Sequence, residues 1–252
     1  MITDASFWNE QATYRRGWKL STTYSRTSSA LARSRLGWAR TAIPVTPDLE
    51  RSSAEEVLKH VVARFHPRLY VACSFQKEAS VILDLLLGIE PKARVFTLDT
   101  GVLFPETYET WRRIERRYGI EIDVYRGEWV DGLWLRDPDA CCGMRKVEPL
   151  ERALAGVDAW ITGLRRDQSP ARAATPKLAL DERGKVKCAP LADWSERDVW
   201  RYIHEHDVIY HPLHDRGYES IGCMHCTVPG GGREGRWAGT DKIECGLHLP
   251  GS

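Results

Sequence analysis

The sequence predicts an α/β fold with a mostly parallel sheet and helices on both faces. Short apolar runs of strand length alternate with stretches in which apolar residues recur at helical spacing, from residue 52 to residue 162. This alternation is typical of a parallel sheet that is covered on both sides. Beyond residue 207 the chain is rich in Gly, Pro and His and loses its periodicity, which predicts an irregular C-terminal tail.

Helix-start signals and apolar runs place the predicted elements along the chain. Two overlapping S-x-x-E patterns within residues 52–56 are capping boxes, so a helix should begin there and end near Phe65. Pro105 suits the first turn of another helix, which should end near Tyr118. The remaining predicted helices lie at about 78–88, 146–154 and 195–206, and the predicted strands lie at 69–73, 95–98, 120–125 and 159–162. A hairpin is expected where residues 177–180 and 186–189 flank a short polar loop.

Composition indicates a globular chain with a distinct N-terminal segment. The 252 residues are 42% hydrophobic and 28% charged, which is ordinary for a folded protein. Residues 1–46 are rich in Arg, Ser and Thr without clear apolar periodicity. We expect them to form a poorly ordered extension, with an organelle transit peptide as the alternative. Residues 47–252 are expected to form a single domain whose tail covers about 227–252.

Charge, hydropathy and cysteine count argue against nucleic-acid binding, membrane insertion and secretion. The formal net charge of +1 gives no support for a nucleic-acid-binding surface. No apolar run of about 18 residues is present, so we expect no membrane-spanning segment. The N-terminus lacks the apolar stretch of a secretory signal, and the seven cysteines cannot all pair within the chain. We therefore expect a cytoplasmic protein with reduced thiols.

Three polar segments follow predicted strands. The carboxyl ends of parallel strands lie at one edge of the sheet, so these segments should meet there. Ligands of parallel sheets bind at that edge. The segments are Ser74-Phe75-Gln76-Lys77-Glu78, Asp99-Thr100-Gly101 and Gly163-Leu164-Arg165-Arg166. The first lies at a strand-to-helix turn, where backbone N–H groups and the helix dipole favour an anion. Ser74 and Lys77 add a hydroxyl and a charge. An ordinary helix start explains the first segment equally well, since it has no Walker spacing.

Two arginine pairs lie on predicted loops. Arg165 and Arg166 follow a strand, and Arg233 and Arg236 lie within a glycine-rich run. The planar guanidinium group can donate two parallel hydrogen bonds to phosphate or sulfate, so these pairs are candidate anion ligands. A single arginine is more often solvated surface charge. Two clusters close to the sheet edge or to the cysteines favour anion binding.

Four cysteines form two close pairs that could belong to one site. Cys141 and Cys142 are adjacent, and Cys223 and Cys226 form a C-x-x-C pair. Four thiolates are the ligand count of a structural zinc ion or an iron–sulfur cluster. The chemistry leaves both open, and the adjacent pair departs from the usual spacing for zinc. A redox disulfide between Cys223 and Cys226 is the third possibility.

The remaining cysteines divide into two kinds. Cys245 lies near arginines and His248, and positive neighbours lower the pKa of a thiol, so Cys245 is a candidate nucleophile. The alternative is an idle surface thiol. Cys73 and Cys188 lie within or beside apolar strands, which predicts buried packing residues.

These motifs together resemble those of the assimilatory adenylyl-sulfate reductases, relatives of the phosphoadenylyl-sulfate reductases. The resemblance covers about residues 50–248. It is carried by S-F-Q-K-E at 74–78, L-D-T-G at 98–101, C-C-G-M-R-K at 141–146, G-L-R-R at 163–166, I-G-C-M-H-C at 221–226 and E-C-G-L-H at 244–248. It implies a fold like that of the ATP-pyrophosphatases, the adenine nucleotide alpha hydrolases, and a single catalytic domain.

The resemblance also implies roles for the grouped residues. A [4Fe–4S] cluster would be bound by the two cysteine pairs: Cys141, Cys142, Cys223 and Cys226. Cys245 would attack the sulfur of adenylyl sulfate, release AMP and become an S-sulfonate, from which thioredoxin or glutaredoxin would release sulfite. Negative charge develops on the departing phosphate, so cationic donors should stabilise the transition state. The candidates are Lys146, Arg165, Arg233, Arg236 and His248, and Lys146 could bridge cluster and substrate.

Other functions remain open from the sequence. Reduction of phosphoadenylyl sulfate is the first, because no ligand for a 3′-phosphate can be identified. A nucleotide hydrolase of the tRNA-thiolation type is the second, although the chain lacks the S-G-G-x-D-S loop. A zinc-stabilised nucleotide-binding module is the third, and it gives Cys245 no role. The sequence is compatible with a homo-oligomer.

Overall fold

A six-stranded sheet forms the centre of the computed structural model, which describes residues 47–248. The strands are β1 (Leu69–Ala72), β2 (Arg94–Leu98), β3 (Asp123–Tyr125), β4 (Ala159–Ile161), β5 (Leu178–Leu180) and β6 (Val186–Cys188). Their order is β3-β2-β1-β4-β6-β5, and all pairs are parallel except β5 with β6. The predicted α/β fold with a mostly parallel sheet is confirmed. The predicted extension at 1–46 lies outside the described residues.

Helices alternate with these strands. They are α1 (Pro47–Arg51), α2 (Ala54–Phe65), α3 (Lys77–Ile89), α4 (Pro105–Tyr118), α5 (Leu133–Arg136), α6 (Pro138–Cys142), α7 (Glu148–Leu154) and α8 (Glu196–Glu205). A π-helical turn, Gly143–Val147, joins α6 to α7. The sequence predicted α2, α3, α4, α7, α8 and the β5–β6 hairpin. It missed the short helices α1, α5 and α6, and it made β3 too long.

Local capping explains why two of the predicted helices begin where they do. The hydroxyl of Ser53 accepts a hydrogen bond from the backbone N–H of Glu56 at 3.2 Å, and the Glu56 carboxylate accepts one from the N–H of Ser53 at 2.7 Å. Ser195 and Asp198 form the same reciprocal box at the start of α8. Each box satisfies donors that a helix start leaves unpaired.

The apolar core fixes α7 on the sheet. Tyr70, Phe96 and Trp160 from β1, β2 and β4 are at most 1% exposed, and they pack with Leu150 and Leu154 of α7. Burial of each such side chain contributes on the order of 2 kcal/mol. On another part of the sheet, α3 packs against α2 and α8. The packing of α7 on β1, β2 and β4 fixes α7, and the π-helical turn before it, close to the carboxyl ends of the strands.

The strand order creates a crevice between β1 and β4. The chain passes from β1 to β2 on one side, whereas β4 lies on the other side of β1. Such a topological switch point is where open α/β sheets bind ligands. The loops after these two strands touch each other, since a Cβ on Gly163 would lie 2.9 Å from the Cβ of Glu78. No helix within residues 47–248 is long and apolar enough to cross a membrane.

Candidate active site

A cavity of about 310 Å³ opens at this crevice. The loops after β1 and β4 form one part of its wall, and the C-terminal tail forms another. Its volume suits a small-molecule ligand. It brings together most of the residues that the sequence predicted for substrate binding, and it adds the candidate nucleophile. These are Ser74, Phe75, Gln76, Lys77, Glu78, Thr100, Lys146, Arg165, Arg233, Arg236, Cys245 and His248.

Three predicted residues are not part of the cavity wall. Asp99 is 5% exposed, and its carboxylate accepts hydrogen bonds from Arg126 Nε and from the backbone N–H of Gly101, both at 2.9 Å. Arg166 donates to Glu50 Oε2 at 2.5 Å. Asp99 and Gly101 therefore fix the loop after β2, and Arg166 anchors α1. The geometry gives their predicted role in substrate binding no support.

The loop after β1 is shaped by Phe75 and fixed by the segment that precedes the tail. Phe75 has a φ of 60°, a left-handed conformation that is uncommon for a residue with a side chain, and its ring stacks on Trp111 at 5.3 Å. The amide oxygen of Gln76 accepts a hydrogen bond from the N–H of Ile221 at 2.7 Å. The N–H of Lys77 donates to His214 Nε2 at 3.4 Å. Residues 214–221 therefore hold this loop against the start of α3.

Two of the predicted cations are already neutralised by carboxylates. Arg165 is 2% exposed; its Nε donates to Glu78 Oε1 at 3.0 Å and its Nη2 to Glu196 Oε2 at 2.6 Å. Lys77 Nζ lies 2.9 Å from Glu196 Oε1. Burial alone would raise the pKa of Glu78, but Lys77 and Arg165 outweigh burial and lower it. Arg165 thus orders this wall of the cavity, and its donors are not free to bind an anion as the sequence predicted.

The tail side of the cavity carries the cations that face the nucleophile. Arg236 is 8% exposed; its Nη1 donates to Ser220 Oγ at 3.2 Å, and its Nε is buried without a partner. Arg233 Nη2 donates to Glu244 Oε2 at 2.9 Å. Burial, reinforced by the neighbouring Arg172, lowers the pKa of Arg233 to about 10. The face of the cavity beside Cys245 therefore carries Arg233 and Arg236, with the Glu244 carboxylate offsetting part of the charge of Arg233.

Sequence reasoning missed Arg172. It ends the short 3-10 turn Pro170–Arg172 in the loop after β4, and its Nε and Nη2 both donate to the Glu244 carboxylate at 2.9 Å. Arg172 also lines the cavity. The sequence signal for Arg172 was its position in a loop at the carboxyl edge of the sheet. Arg165 and Arg166, earlier in the same loop, were predicted as anion ligands instead.

The two cysteine pairs line one small cavity of about 10 Å³. Cys141 and Cys142 end α6, whose start is capped by Asp137. Cys223 precedes a 3-10 turn, and Cys226 ends it. All seven cysteines are free thiols, so the redox disulfide is not formed in this structure. Within residues 47–248, no group of three or more His, Cys, Asp or Glu side chains is arranged to hold a single metal ion.

The thiols of this cavity are held in different electrostatic environments. Burial raises the pKa of Cys226 to about 11 and also raises the pKa of Cys141 and Cys142. Burial would raise the pKa of Cys223 too, but Lys146 and a hydrogen bond from Thr100 outweigh it and lower the value. The Thr100 Oγ1 to Cys223 Sγ distance is 3.3 Å.

Comparison with known proteins identifies the family to which the chain belongs. The phosphoadenosine phosphosulfate reductase domain matches residues 68–229. The chain belongs to this family. It is 44% identical to the adenosine 5′-phosphosulfate reductase of Bacillus pumilus over 226 residues, which cover 84% of this chain and 97% of the relative. It is 42% identical to adenosine 5′-phosphosulfate reductase 1 of Bacillus subtilis, with the same coverage of both chains.

Solved structures agree with the family. The phosphoadenylyl-sulfate reductase of Candida auris, crystallised as a phosphate complex, superposes with a TM-score of 0.64 at 34% identity, covering 70% of this chain and 91% of that one. The FMN adenylyltransferase of Candida glabrata has a TM-score of 0.54 at 15% identity, covering 72% and 64%, and shows the shared fold alone. The predicted resemblance to the adenylyl-sulfate reductases and their phosphoadenylyl-sulfate relatives is confirmed. The protein is an oxidoreductase of the phosphoadenosine phosphosulfate reductase family.

In this phosphoadenosine phosphosulfate reductase family member, Lys146 connects the two cavities. Among residues 47–248 it is the one side chain that lines both. Burial would lower the pKa of Lys146, but the nearby thiols of Cys223 and Cys245 in their anionic form outweigh burial and raise it. Cys245 is 9% exposed and packs against Cys142 and Trp237. The candidate nucleophile and the cysteine cavity are therefore neighbours, with Lys146 between substrate cavity and thiols.

His248 closes the same region as a neutral imidazole. Its ring stacks on Trp160 with centroids 5.8 Å apart, and its Nδ1 is buried without a partner. Burial, reinforced by Lys187 and Arg172, holds the pKa of His248 well below its usual value. The sequence treated His248 as a cationic donor. Burial among fixed cations instead disfavours its charged form.

Proposed function

We propose that the protein reduces adenylyl sulfate to sulfite and AMP in assimilatory sulfate reduction, through a covalent S-sulfonate on Cys245. The observation that supports this most is the position of Cys245. It lines the cavity at the switch point of a nucleotide-binding type of sheet, next to a face that carries Arg172, Arg233 and Arg236. A thiol nucleophile and an anion-binding surface therefore share one ligand-sized cavity.

The substrate should lie with its phosphosulfate group against the tail side and its adenosine towards the strand ends. The phosphosulfate is the anionic part of the molecule, and the guanidinium groups of Arg233 and Arg236 can each donate planar hydrogen bonds to it. The loop after β1 and the apolar residues Phe96, Leu98 and Leu103 line the rest of the cavity. This orientation brings the sulfur atom of the substrate towards Cys245.

The proposed reaction is a displacement at sulfur followed by a thiol exchange. The Cys245 thiolate forms an S–S bond to the sulfate sulfur while the S–O bond to the phosphate breaks, and the electron pair leaves with AMP. Charge grows on the departing phosphate oxygen, where Lys146 and the arginines stabilise it. A thioredoxin or glutaredoxin thiolate then attacks Cys245 Sγ, which releases sulfite. The second thiol of the reductant frees Cys245 and closes the reductant's disulfide, so two electrons come from the dithiol.

The donor set of the small cavity fits a [4Fe–4S] cluster. Cys141, Cys142, Cys223 and Cys226 line it as free thiols, and all-thiolate ligation is what iron–sulfur clusters use. Each thiolate of a cluster binds its own iron, so the sulfurs need not meet at one point as the ligands of a zinc ion do. When bound, the cluster supplies a fixed anionic charge and a structural link between α6 and residues 223–226. Lys146 would then lie between the anionic cluster and the anionic substrate.

The domain and its location are part of the proposal. We infer that residues 47–252 act as one catalytic domain, since the strands of one sheet and Cys245 contribute to the same cavity. Reduced thiols of a cluster and a nucleophile are maintained in the cytoplasm, which is where we expect the protein to work. We infer that the protein is compatible with a homo-oligomer.

The competing function within the family is reduction of phosphoadenylyl sulfate. The solved structure from Candida auris bears that name. The resemblance to adenylyl-sulfate reductases implies the four cluster cysteines, which most phosphoadenylyl-sulfate reductases lack, and this chain has all four. That set of thiols favours adenylyl sulfate as the substrate.

The experiment is a turnover assay with both nucleotides. Full-length protein, purified without oxygen, is given thioredoxin, its reductase and either nucleotide, and sulfite and released nucleotide are measured together. We expect equal amounts of sulfite and AMP from adenylyl sulfate, and at least about a hundredfold lower kcat/KM for phosphoadenylyl sulfate. Cys245→Ser should be inactive, while Cys188→Ala, which changes a buried thiol on β6, should stay active. No sulfite from either nucleotide would contradict the proposal.

A further inference from the structure

Trp237 is a buried aromatic side chain to which the proposed reaction gives no role. It is 4% exposed and packs against Cys142 and the candidate nucleophile Cys245. It lines the small cavity of the four cysteines but not the substrate cavity. Any effect of Trp237 on a bound substrate must therefore act through the side chains that the indole ring touches.

The backbone of Trp237 has an uncommon conformation that its neighbours hold in place. Its φ is 52°, in the left-handed region, which only two other non-glycine residues in the described part of the chain adopt. Its N–H donates to the carbonyl of Cys226 at 2.9 Å. Its carbonyl accepts hydrogen bonds from the N–H and the hydroxyl of Thr240 at 3.0 and 2.8 Å. Such conformations persist where the surrounding structure enforces them, and they cluster at functional sites.

Three cations surround the indole ring. The guanidinium carbon of Arg236 lies 4.5 Å from the ring centre, and the guanidinium carbon of Arg233 and the Nζ of Lys242 each lie 5.7 Å from it. The face of an aromatic ring carries partial negative charge, and its attraction for a cation grows when water is excluded. Arg236 is the nearest of the three and is buried, so we expect the ring to act mainly on Arg236.

Arg236 differs from the other arginines of the substrate cavity in its partners. The other three each pair with a carboxylate: Arg165, Arg172 and Arg233. No carboxylate within residues 47–248 pairs with Arg236, whose Nη1 donates to the hydroxyl of Ser220 at 3.2 Å and to the carbonyl of Ile221 at 3.3 Å. Bonds from one nitrogen do not fix the plane of a guanidinium group. The indole ring supplies a further restraint and leaves the positive charge unpaired.

We propose that Trp237 is a positioning residue of the anion-binding face, whose ring holds Arg236 in place beside Cys245 without a competing carboxylate. This rests on the proposed function, because it assigns Arg236 to the phosphosulfate group. A carboxylate would compete with an anionic ligand for the guanidinium donors, whereas an aromatic ring attracts the cation and leaves donors for the ligand. Because Trp237 also packs against Cys245, one side chain sets the positions of the thiol and of the cation.

The first test is calorimetric titration with AMP, which probes the phosphate-binding face without turnover. Trp237→Leu removes the ring and stays apolar, whereas Trp237→Phe keeps a ring. Trp194→Leu is the matched control, because Trp194 is partly buried and lines neither cavity. We expect AMP to bind at least about tenfold more weakly to Trp237→Leu, about threefold more weakly to Trp237→Phe, and with wild-type affinity to Trp194→Leu. Wild-type affinity in Trp237→Leu would overturn the inference.

A double-mutant cycle distinguishes a positioning residue from a packing residue. The same titration is carried out with Arg236→Ala and with the variant that combines Arg236→Ala and Trp237→Leu. All proteins are full-length, prepared without oxygen and compared at equal iron content. If Trp237 acts through Arg236, its replacement should weaken AMP binding at most about twofold once Arg236 is alanine. The full tenfold loss in both backgrounds would overturn the inference, because the ring would then act without Arg236.

The inference and the proposed function can fail separately. A wild type that makes sulfite from adenylyl sulfate, with a Trp237→Leu variant that binds AMP normally, contradicts the role of Trp237 alone. A wild type that binds AMP but makes no sulfite from either nucleotide contradicts the proposed function, and the double-mutant cycle still decides whether Trp237 positions Arg236 for an anion. A wild type that does not bind AMP overturns the role of Trp237.

Discussion

Glu244 and Arg172 form a two-point ion pair directly beside the nucleophile. Arg172 Nε and Nη2 each donate to the Glu244 carboxylate at 2.9 Å, and Arg233 adds a third hydrogen bond of 2.9 Å. Glu244 precedes Cys245 in the chain, so these bonds fix the backbone that carries the thiol. The carboxylate also binds two of the cations that the phosphosulfate group would need. Glu244 therefore holds the tail in place and competes with an anionic ligand.

Glu244→Gln should loosen the tail and strengthen anion binding. The variant keeps the size of the side chain but loses the charge that attracts both arginines. Hydrogen bonds to a charged group contribute about 1.5–3 kcal/mol, so we expect AMP to bind roughly tenfold more tightly and backbone amides of residues 240–248 to exchange faster. Calorimetric titration with AMP and hydrogen exchange measure these effects. Glu234→Gln, an exposed change in the same tail, is the control, and unchanged AMP affinity in Glu244→Gln would contradict the competition.

Gly222→Ala should displace Arg236 without unfolding the protein. A Cβ at position 222 would lie 2.4 Å from Arg236 Nη2, which is the end of a flexible side chain and can move. We expect kcat/KM to fall about tenfold or more, equivalent to roughly 1.4 kcal/mol, with little change in melting temperature. Gly231→Ala provides the control, since nothing lies within 4 Å of its added Cβ. Equal kcat/KM values for the two variants would show that Arg236 does not act on the substrate.

Lys146→Met should reduce turnover and leave the cysteines able to bind their cofactor. Lys146 lines both cavities, and the loss of its charge removes stabilisation of the departing phosphate. Removal of one such donor typically costs a factor of about 100 to 1,000 in kcat. The assay is kcat with adenylyl sulfate, accompanied by iron content. Lys92→Met, at an exposed position, should behave as the wild type. Wild-type turnover in Lys146→Met would remove the bridge from the mechanism.

His211 should make the fold sensitive to acid. The imidazole is fully buried; its Nε2 lies 2.8 Å from Thr107 Oγ1, and its Nδ1 accepts a hydrogen bond from the N–H of Leu213. Burial, reinforced by His214, lowers the pKa of His211 from 6.5 to about 4. The unfolded chain therefore binds a proton that the native state does not. The stability that neutral His211 allows is complete above pH 6.5 and is lost as the pH falls from 6.5 towards 4.

The measurement is the free energy of unfolding in urea at pH 7 and pH 5. His211→Gln should lose about 2 kcal/mol less than the wild type between these two values, because the substituted side chain does not titrate. His60→Gln, an exposed position on α2, is the control and should lose as much as the wild type. The same pH dependence in His211→Gln and the wild type would assign the acid sensitivity to other groups.

The sequence predicted the elements whose signals are local. The helix starts at Ser53 and Ser195 follow from capping boxes that involve residues three positions apart, and the parallel sheet follows from alternation along the chain. Helices α5 and α6 span only four and five residues, too short for any apolar periodicity. The start of α6 depends on Asp137 as a cap, a single-residue signal that apolar periodicity does not reveal.

The arginines show where sequence reasoning stops. Arg165 and Arg166 were predicted to bind an anion, but Arg165 pairs with Glu78, 87 positions away, and Arg166 pairs with Glu50, 116 positions away. Arg172, which the sequence did not single out, lines the cavity and is itself paired with Glu244, 72 positions away. Which cation remains available depends on which carboxylates the fold brings close, and no local pattern carries that information. The four grouped cysteines do line one cavity, because close pairs of thiols are a signal that the sequence itself carries.

The most direct test of the central claim is the mass of the protein after reaction with adenylyl sulfate in the absence of any reductant. Reduced full-length protein is mixed with the nucleotide without oxygen, and intact mass and released AMP are measured together. We expect one added SO₃ per chain at Cys245, one equivalent of AMP, and loss of the adduct as sulfite when thioredoxin is added. The adduct should be absent from Cys245→Ser. AMP release without an adduct, or an adduct that forms equally on Cys245→Ser, would contradict Cys245 as the nucleophile.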